Sequence, residues 1–176
     1  MNQNEAAQII AHVLKGDKQA YALLVEEYKA PIYNLAYRMT GNQQDAADLT
    51  QDVFIRAYTY LWRYNPRKKF FTWLYTIALN TIRNHFKKNS KYKNTQQIND
   101  LTIAEQSPSA EAKLTEGSEV NACLSLLDVE TRVLVVMKYQ QELSFEEIAQ
   151  ITGKSVSAVK MRIYRGLDKL KEMLEK

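Results

Sequence analysis

One cysteine, Cys123, and two histidines, His12 and His85, are all that a chain of 176 residues holds of those two types. A single thiol excludes an internal disulfide, and so few thiols and imidazoles exclude a thiolate-rich zinc site and make any imidazole-based metal chemistry improbable; no cofactor is expected. Glycine and proline are scarce as well, five and three in number, so little interrupts a helix. Long apolar runs are missing: a stretch such as Val133 to Met137 is far too short to cross a bilayer. The polar start MNQNEAAQ lacks the charged-then-apolar layout of a signal peptide, so a soluble protein of the reducing cytoplasm is expected. A further absence is local. Between Val53 and Asn99 no aspartate or glutamate occurs, although Arg56, Arg63, Arg67, Lys68, Lys69, Arg83, Lys87, Lys88, Lys91 and Lys93 all fall there.

The same window interleaves those cations with rings, among them Tyr58, Tyr60, Trp62, Tyr64, Phe70, Phe71, Trp73, Tyr75 and Phe86. Cations neutralise phosphates and exposed rings stack on unpaired bases, so the mixture suits separated nucleic-acid strands. Core packing claims part of the rings, and it gives no reason for the missing acids. Charge is unevenly spread: residues 1–90 carry twelve Lys and Arg against seven Asp and Glu, and residues 116–176 carry nine against ten. A polyanionic partner for the first half follows from that balance.

Helical spacing runs through the chain without a convincing alternating pattern, which predicts an all-α protein. Gly16-Asp17 separates two early helices, and Pro31 is expected to open a third through about Met39. Thr40-Gly41-Asn42 breaks the chain before a long helix from about Gln43 to Leu61, and another runs from about Phe70 to Lys88. Residues 89–115 are polar, with Ser107-Pro108-Ser109, and read as a flexible linker. The expected organisation is two small helical domains, residues 1–88 and 116–176, joined by that tether.

The second domain contains a specific motif. Ser144 and Glu147 form a capping box at the start of a short helix, Thr152-Gly153-Lys154 supplies a tight turn, and Ser155 caps the next helix. In that last helix Val156, Val159, Ile163, Leu167 and Leu170 face inward at three- and four-residue spacing, leaving Ser157, Lys160, Met161, Tyr164 and Arg165 outside. A helix-turn-helix presenting cations and small polar groups suits a major groove. A helical hairpin that only packs or dimerises is the plainer alternative.

Within the helix of residues 43–61, Asp45, Asp48 and Asp52 share one face at i, i+3 and i+7, bordered by Leu49 and Arg56. An acidic stripe on a basic domain repels DNA and attracts a basic protein surface. Solvated charge or a Mg²⁺ site for a nuclease are the other readings of the same residues, the latter lacking an accompanying general base.

Three segments resemble the extracytoplasmic-function group of bacterial RNA polymerase sigma factors. Asp45 to Tyr58 looks like the polymerase-binding helix, Phe70 to Asn84 like the promoter-melting and −10-recognition segment, and Leu143 to Leu167 like the −35-reading helix-turn-helix. The resemblance implies a non-enzymatic subunit that directs core RNA polymerase to promoters. It assigns Asp45, Asp48, Gln51, Asp52 and Arg56 to the clamp helices of the largest polymerase subunit. It assigns Tyr64, Asn65, Arg67, Lys69, Asn80, Arg83, Asn84 and Lys87 to the non-template strand at −10, with Tyr64, Asn65 and Arg67 near a flipped base. Ser155, Ser157, Lys160, Met161, Arg162, Tyr164 and Arg165 are assigned to −35 duplex. An anti-sigma factor is a further implied partner. Three rivals remain open on the residues alone: a regulator that binds only duplex DNA, a general single-strand binder, and the nuclease.

Overall fold

The computed structural model describes residues 1–99 and 116–175, and among them all regular structure is helical. Helix α1 (Gln3–Leu14) opens on a capping box between Asn2 and Glu5. Helix α2 spans Tyr21–Thr40 without a break, so Pro31 lies inside it and opens no new helix. Proline deprives the carbonyl four residues earlier of its donor, and here that residue is the exposed Glu27, open to water. Continuity is enforced by packing: Leu24, Tyr28, Ile32, Leu35 and Met39 form one buried stripe across the proline. Burying a side chain of this kind is worth roughly 1.5–3 kcal/mol, so several together outweigh a proline cost of about 3 kcal/mol.

Gly41, at φ 68°, closes α2, and the Asn42 side chain accepts from the Asp45 amide to start α3 (Gln43–Thr59). A left-handed residue costs glycine nothing, which makes the reversal this tight. After α3 comes a 3₁₀ turn at Leu61–Arg63, then a loop to α4 (Phe70–Asn99). α4 runs to Asn99 instead of stopping at Lys88, because residues 89–99 contain no glycine or proline to end it. The expected linker therefore begins as helix, and its stretch from 100 to 115 lies outside the described residues.

The second unit comprises α5 (Glu116–Ser125), α6 (Val129–Tyr139), α7 (Phe145–Thr152) and α8 (Val156–Leu174). Asp128 caps α6 by accepting from the Thr131 amide. The predicted capping box of Ser144 and Glu147 opens α7, Gly153 at φ 68° ends it, and Ser155 accepts from the Ala158 amide to open α8. α8 crosses α6 at a close approach: a Cβ on the buried Gly166 would stand 2.3 Å from Thr131 Cγ2. Any larger residue there must displace the Thr131 side chain.

The two units share a continuous apolar core. Polar contacts fasten the seam. Tyr75, wholly buried, donates its hydroxyl to Gln141 Oε1 at 2.6 Å, and Gln141 Nε2 donates to the Pro31 carbonyl at 3.3 Å. Arg132 from α6 donates to the Met39 carbonyl at the end of α2 (2.9 Å) and to the carbonyls of Ser125, the last residue of α5, and Leu127. Its guanidinium thus caps two helix C-termini at once, where a cation is favoured.

Candidate nucleic-acid and protein interfaces

Helix α8 behaves as its periodicity predicts. Val159, Ile163 and Leu170 are buried, while Ser157, Lys160, Met161, Tyr164 and Arg165 are exposed. Phe145 of α7 orients two of the outer groups: Lys160 Nζ lies 5.1 Å from its ring centroid, and its ring meets that of Tyr164 at 6.4 Å. Arg162 departs from the expected set. Its Nη2 donates to Asp128 Oδ1 at 2.8 Å and its Nε to Thr131 Oγ1 at 3.0 Å, so it braces the start of α6 instead of facing outward. Asp128 is held at about 2: burial opposes ionisation, but the Thr131 hydroxyl and amide and the Arg162 guanidinium outweigh it.

On α4, Asn80, Asn84 and Lys87 are exposed along one face, as the i, i+4, i+7 spacing requires. Arg83 is half-buried, and its Nε and Nη2 donate to the two carboxylate oxygens of Glu130 of α6. The loop before α4 sorts its rings in a way the sequence does not announce. Tyr64 is buried against Phe70 and Trp73 and donates its hydroxyl to the Lys68 carbonyl at 2.5 Å, so it is a strut of the loop and not a free base-stacking surface. Trp62 is the exposed ring, 65% accessible, with the Arg63 guanidinium 4.7 Å from its centroid and 5.3 Å from that of Tyr60. Asn65, Arg67, Lys68 and Lys69 follow in the same loop as exposed polar and cationic groups. Asn65 also shapes the loop by accepting the Arg67 amide at 2.9 Å.

α3 carries the acidic face. Asp48 is exposed and accepts from Gln44 Nε2 at 3.1 Å, Asp45 is half-buried, and Asp52 pairs with Arg56 at 2.9 Å. Gln51 is exposed beside them and lines an apolar groove of about 750 Å³ between α2 and α3, whose walls include Tyr33, Phe54, Ile55 and Tyr58. Among the described residues no cluster of His, Cys, Asp or Glu could hold a metal ion, and the aspartates of α3 converge on no common point.

Among the described residues all regular structure is helical, the last two helices form a capped helix-turn-helix, and the first unit carries acids on α3 and none on α4, an architecture suited to a DNA-binding protein. Comparison with known proteins makes this specific. Residues 24–92 match Sigma-70 region 2 and residues 118–170 match Sigma-70 region 4. The chain is 39% identical over 177 residues to the ECF RNA polymerase sigma factor SigW of Bacillus subtilis, covering 94% of each protein. It is 30% identical to the ECF RNA polymerase sigma-E factor of Escherichia coli, covering 89% of this chain and 87% of that one. Among solved structures it is similar to CnrH, in complex with the cytosolic domain of CnrY, with a TM-score of 0.73, 25% identity and 97% of each chain covered. The fold is likewise that of the sigma factor RpoE of Bartonella quintana, solved with the anti-sigma factor NepR, at a TM-score of 0.71 and 19% identity. The chain belongs to the ECF sigma factors of the sigma-70 family, which direct promoter-specific initiation of transcription.

Proposed function

We propose that the chain binds core RNA polymerase through the acidic face of α3, centred on Asp48, Gln51 and Asp52, with the groove toward α2 receiving apolar groups of the same partner. The outer face of α8 then reads −35 duplex, and α4 with the loop before it holds the separated non-template strand at −10. The observation that carries this division is the sorting of charge: acids on α3, none from Val53 to Asn99, and the exposed Trp62 and Arg63 inside the acid-free stretch. A polyanionic strand is drawn to the cationic face and a basic protein surface to the acidic one.

The chain supplies binding energy and breaks no bond. Strand separation is favoured because α4 and its loop bind the open strand better than the closed one, and an equilibrium shifts only by such a preference. Two modest DNA sites joined through polymerase act together at high effective concentration. The working units in this reading are residues 1–88 and 116–176, in the cytoplasm, where polymerase and DNA are. A partner that restrains the chain is supported by the solved complexes of CnrH with CnrY and of RpoE with the anti-sigma factor NepR.

The test is transcription from a panel of promoters by core polymerase with and without the chain. Selective initiation from a subset is expected, and an unchanged pattern removes the proposal.

A further inference from the structure

Lys138 lies on α6, outside every assignment made above, yet its ammonium emerges beside the outer face of α8. Its Nζ lies 4.7 Å from the centroid of the Phe145 ring, and Lys160 Nζ lies 5.1 Å from the same centroid. The Tyr164 ring meets that of Phe145 as well, at 6.4 Å. Cations from α6 and α8 are thus gathered on one ring at the start of α7. Among the described residues neither ammonium is paired with a carboxylate, although the exposed Glu142 and Glu146 flank Phe145 in the chain. Like charges this close repel, and the negative face of an aromatic ring offsets part of that repulsion.

The turn between α6 and α7 fixes this geometry. The Gln141 amide donates to the Val136 carbonyl at 3.1 Å and the Leu143 amide to the Met137 carbonyl at 3.0 Å. Glu142 completes the turn at φ 55°, a left-handed value uncommon outside glycine. Closed in this way, the turn sets the Leu143 carbonyl where Lys138 Nζ donates to it at 3.1 Å. An ammonium has three donors, so Lys138 keeps two for another acceptor. Its apolar stem is half-buried while its head reaches the edge of the helix-turn-helix. A phosphate can accept from Lys138 and Lys160 together and relieve their repulsion, and no carboxylate of the second unit holds that place.

We propose that Phe145 is a positioning residue for duplex binding: its ring gathers Lys138 and Lys160 into one seat for a backbone phosphate, and Lys138 is a DNA contact additional to the outer face of α8. Such a seat carries no sequence information of its own; it sets the register at which α8 meets the groove. The inference rests on the assignment of α8 to duplex DNA.

The full chain carries the test, by fluorescence anisotropy of a labelled duplex of about 20 base pairs of mixed sequence over a range of salt. Lys138→Ala should lower the slope of log affinity against log salt by about one, as for one lost phosphate contact, and to the same extent on duplexes of different sequence. Lys171→Ala removes the same charge from the far end of α8, where Lys171 faces Glu175 at 3.8 Å, and should leave the slope alone. Phe145→Leu keeps both lysines and an apolar side chain. It should weaken binding about two- to fivefold, the worth of an exposed cation–ring contact, and Phe145→Tyr should retain the parent affinity. The ε-methylene protons of Lys138 and Lys160 should resonate upfield in the parent and in Phe145→Tyr, and return to ordinary positions in Phe145→Leu. In a chain already lacking both lysines, Phe145→Leu should cost no further affinity. An unchanged slope in Lys138→Ala, an equal fall in Lys171→Ala, or the same cost of Phe145→Leu with and without the lysines overturns the inference. Arg165→Ala separates it from the reading of α8. A slope lowered by Arg165→Ala and not by Lys138→Ala removes the phosphate seat alone, whereas no change with either removes the assignment of α8 to duplex DNA as well.

Discussion

Helices α4 and α8 are both proposed to meet DNA, and the chain prepares them in opposite ways. The outer side chains of α8 are exposed and braced from behind, by Phe145 under Lys160 and Tyr164 and by Gly166 seated against Thr131. Those of α4 are divided: Asn80, Asn84 and Lys87 are open, whereas Arg83 is held by Glu130 of the other unit. A duplex presents its groove at all times, so its reader can stand ready. Separated strands exist only after polymerase has acted, and one cation of their proposed reader, Arg83, is engaged by Glu130 in this structure.

The largest effect expected lies on neither helix. Asp48→Lys with Asp52→Lys should weaken association with core polymerase by more than about tenfold, through reversed steering and like-charge juxtaposition. DNA contacts of α4 and α8 should be spared; loss of strand binding by the isolated variant, or an unaltered polymerase affinity, would dissolve the separation of faces. Next in size, Gly166→Ala forces a methyl into Thr131 and should lower stability by about 1–3 kcal/mol in thermal unfolding, the usual range for overpacking. A variant as stable as the parent would mean that α8 is not pinned where it appears. Trp62→Ala should weaken open-strand binding in holoenzyme by about 1–3 kcal/mol, the typical loss of one stacked base, and Trp62→Phe should restore part of it. Equal loss in closed-duplex binding would erase the contrast between the two readers. Arg165→Ala should reduce the salt slope of −35 duplex binding by about one, as for a single lost phosphate contact, while Arg162→Ala should leave that slope alone and loosen the start of α6. The smallest effect concerns acid. Because the folded Asp128 carboxyl sits at about 2, below its ordinary 3.8, its contribution is complete above 3.8 and is lost as the pH falls toward 2. Asp128→Asn should flatten that limb of an acid titration followed by near-ultraviolet circular dichroism, only slightly, since the side chain is 60% exposed and screened by water.

Much of this could be read before any coordinates. Scarce glycine and proline announce helices, Ser144 and Glu147 announce the start of α7, and the spacing from Val156 to Leu170 assigns the two sides of α8. Those signals are local, set within one or two helical turns. What escaped depends on contacts made at long range. Pro31 reads as a start because the stripe that carries α2 across it is enforced by tertiary packing. Tyr64 lies in a loop, where no periodicity tells a buried ring from an exposed one. Arg162 is next to the inward Ile163, and its long stem lets the guanidinium turn back to Asp128. Glycine in the middle of a helix was a visible hint at Gly166, since it costs about 1 kcal/mol relative to alanine unless something crosses close by. The pairing of Glu130 with Arg83 has no sequence signature at all, because two residues of opposite sign in separate units are not distinguished from any others.

Met161 is 53% exposed on α8, and neither it nor the neighbouring outward groups contribute to the buried stripe that seats the helix. Exchanges at such positions usually alter stability by less than about 0.5 kcal/mol. The frame and the lettering are therefore separable: in the role proposed for α8, each outward side chain can be rewritten to change the promoters answered to while the same reading head is kept.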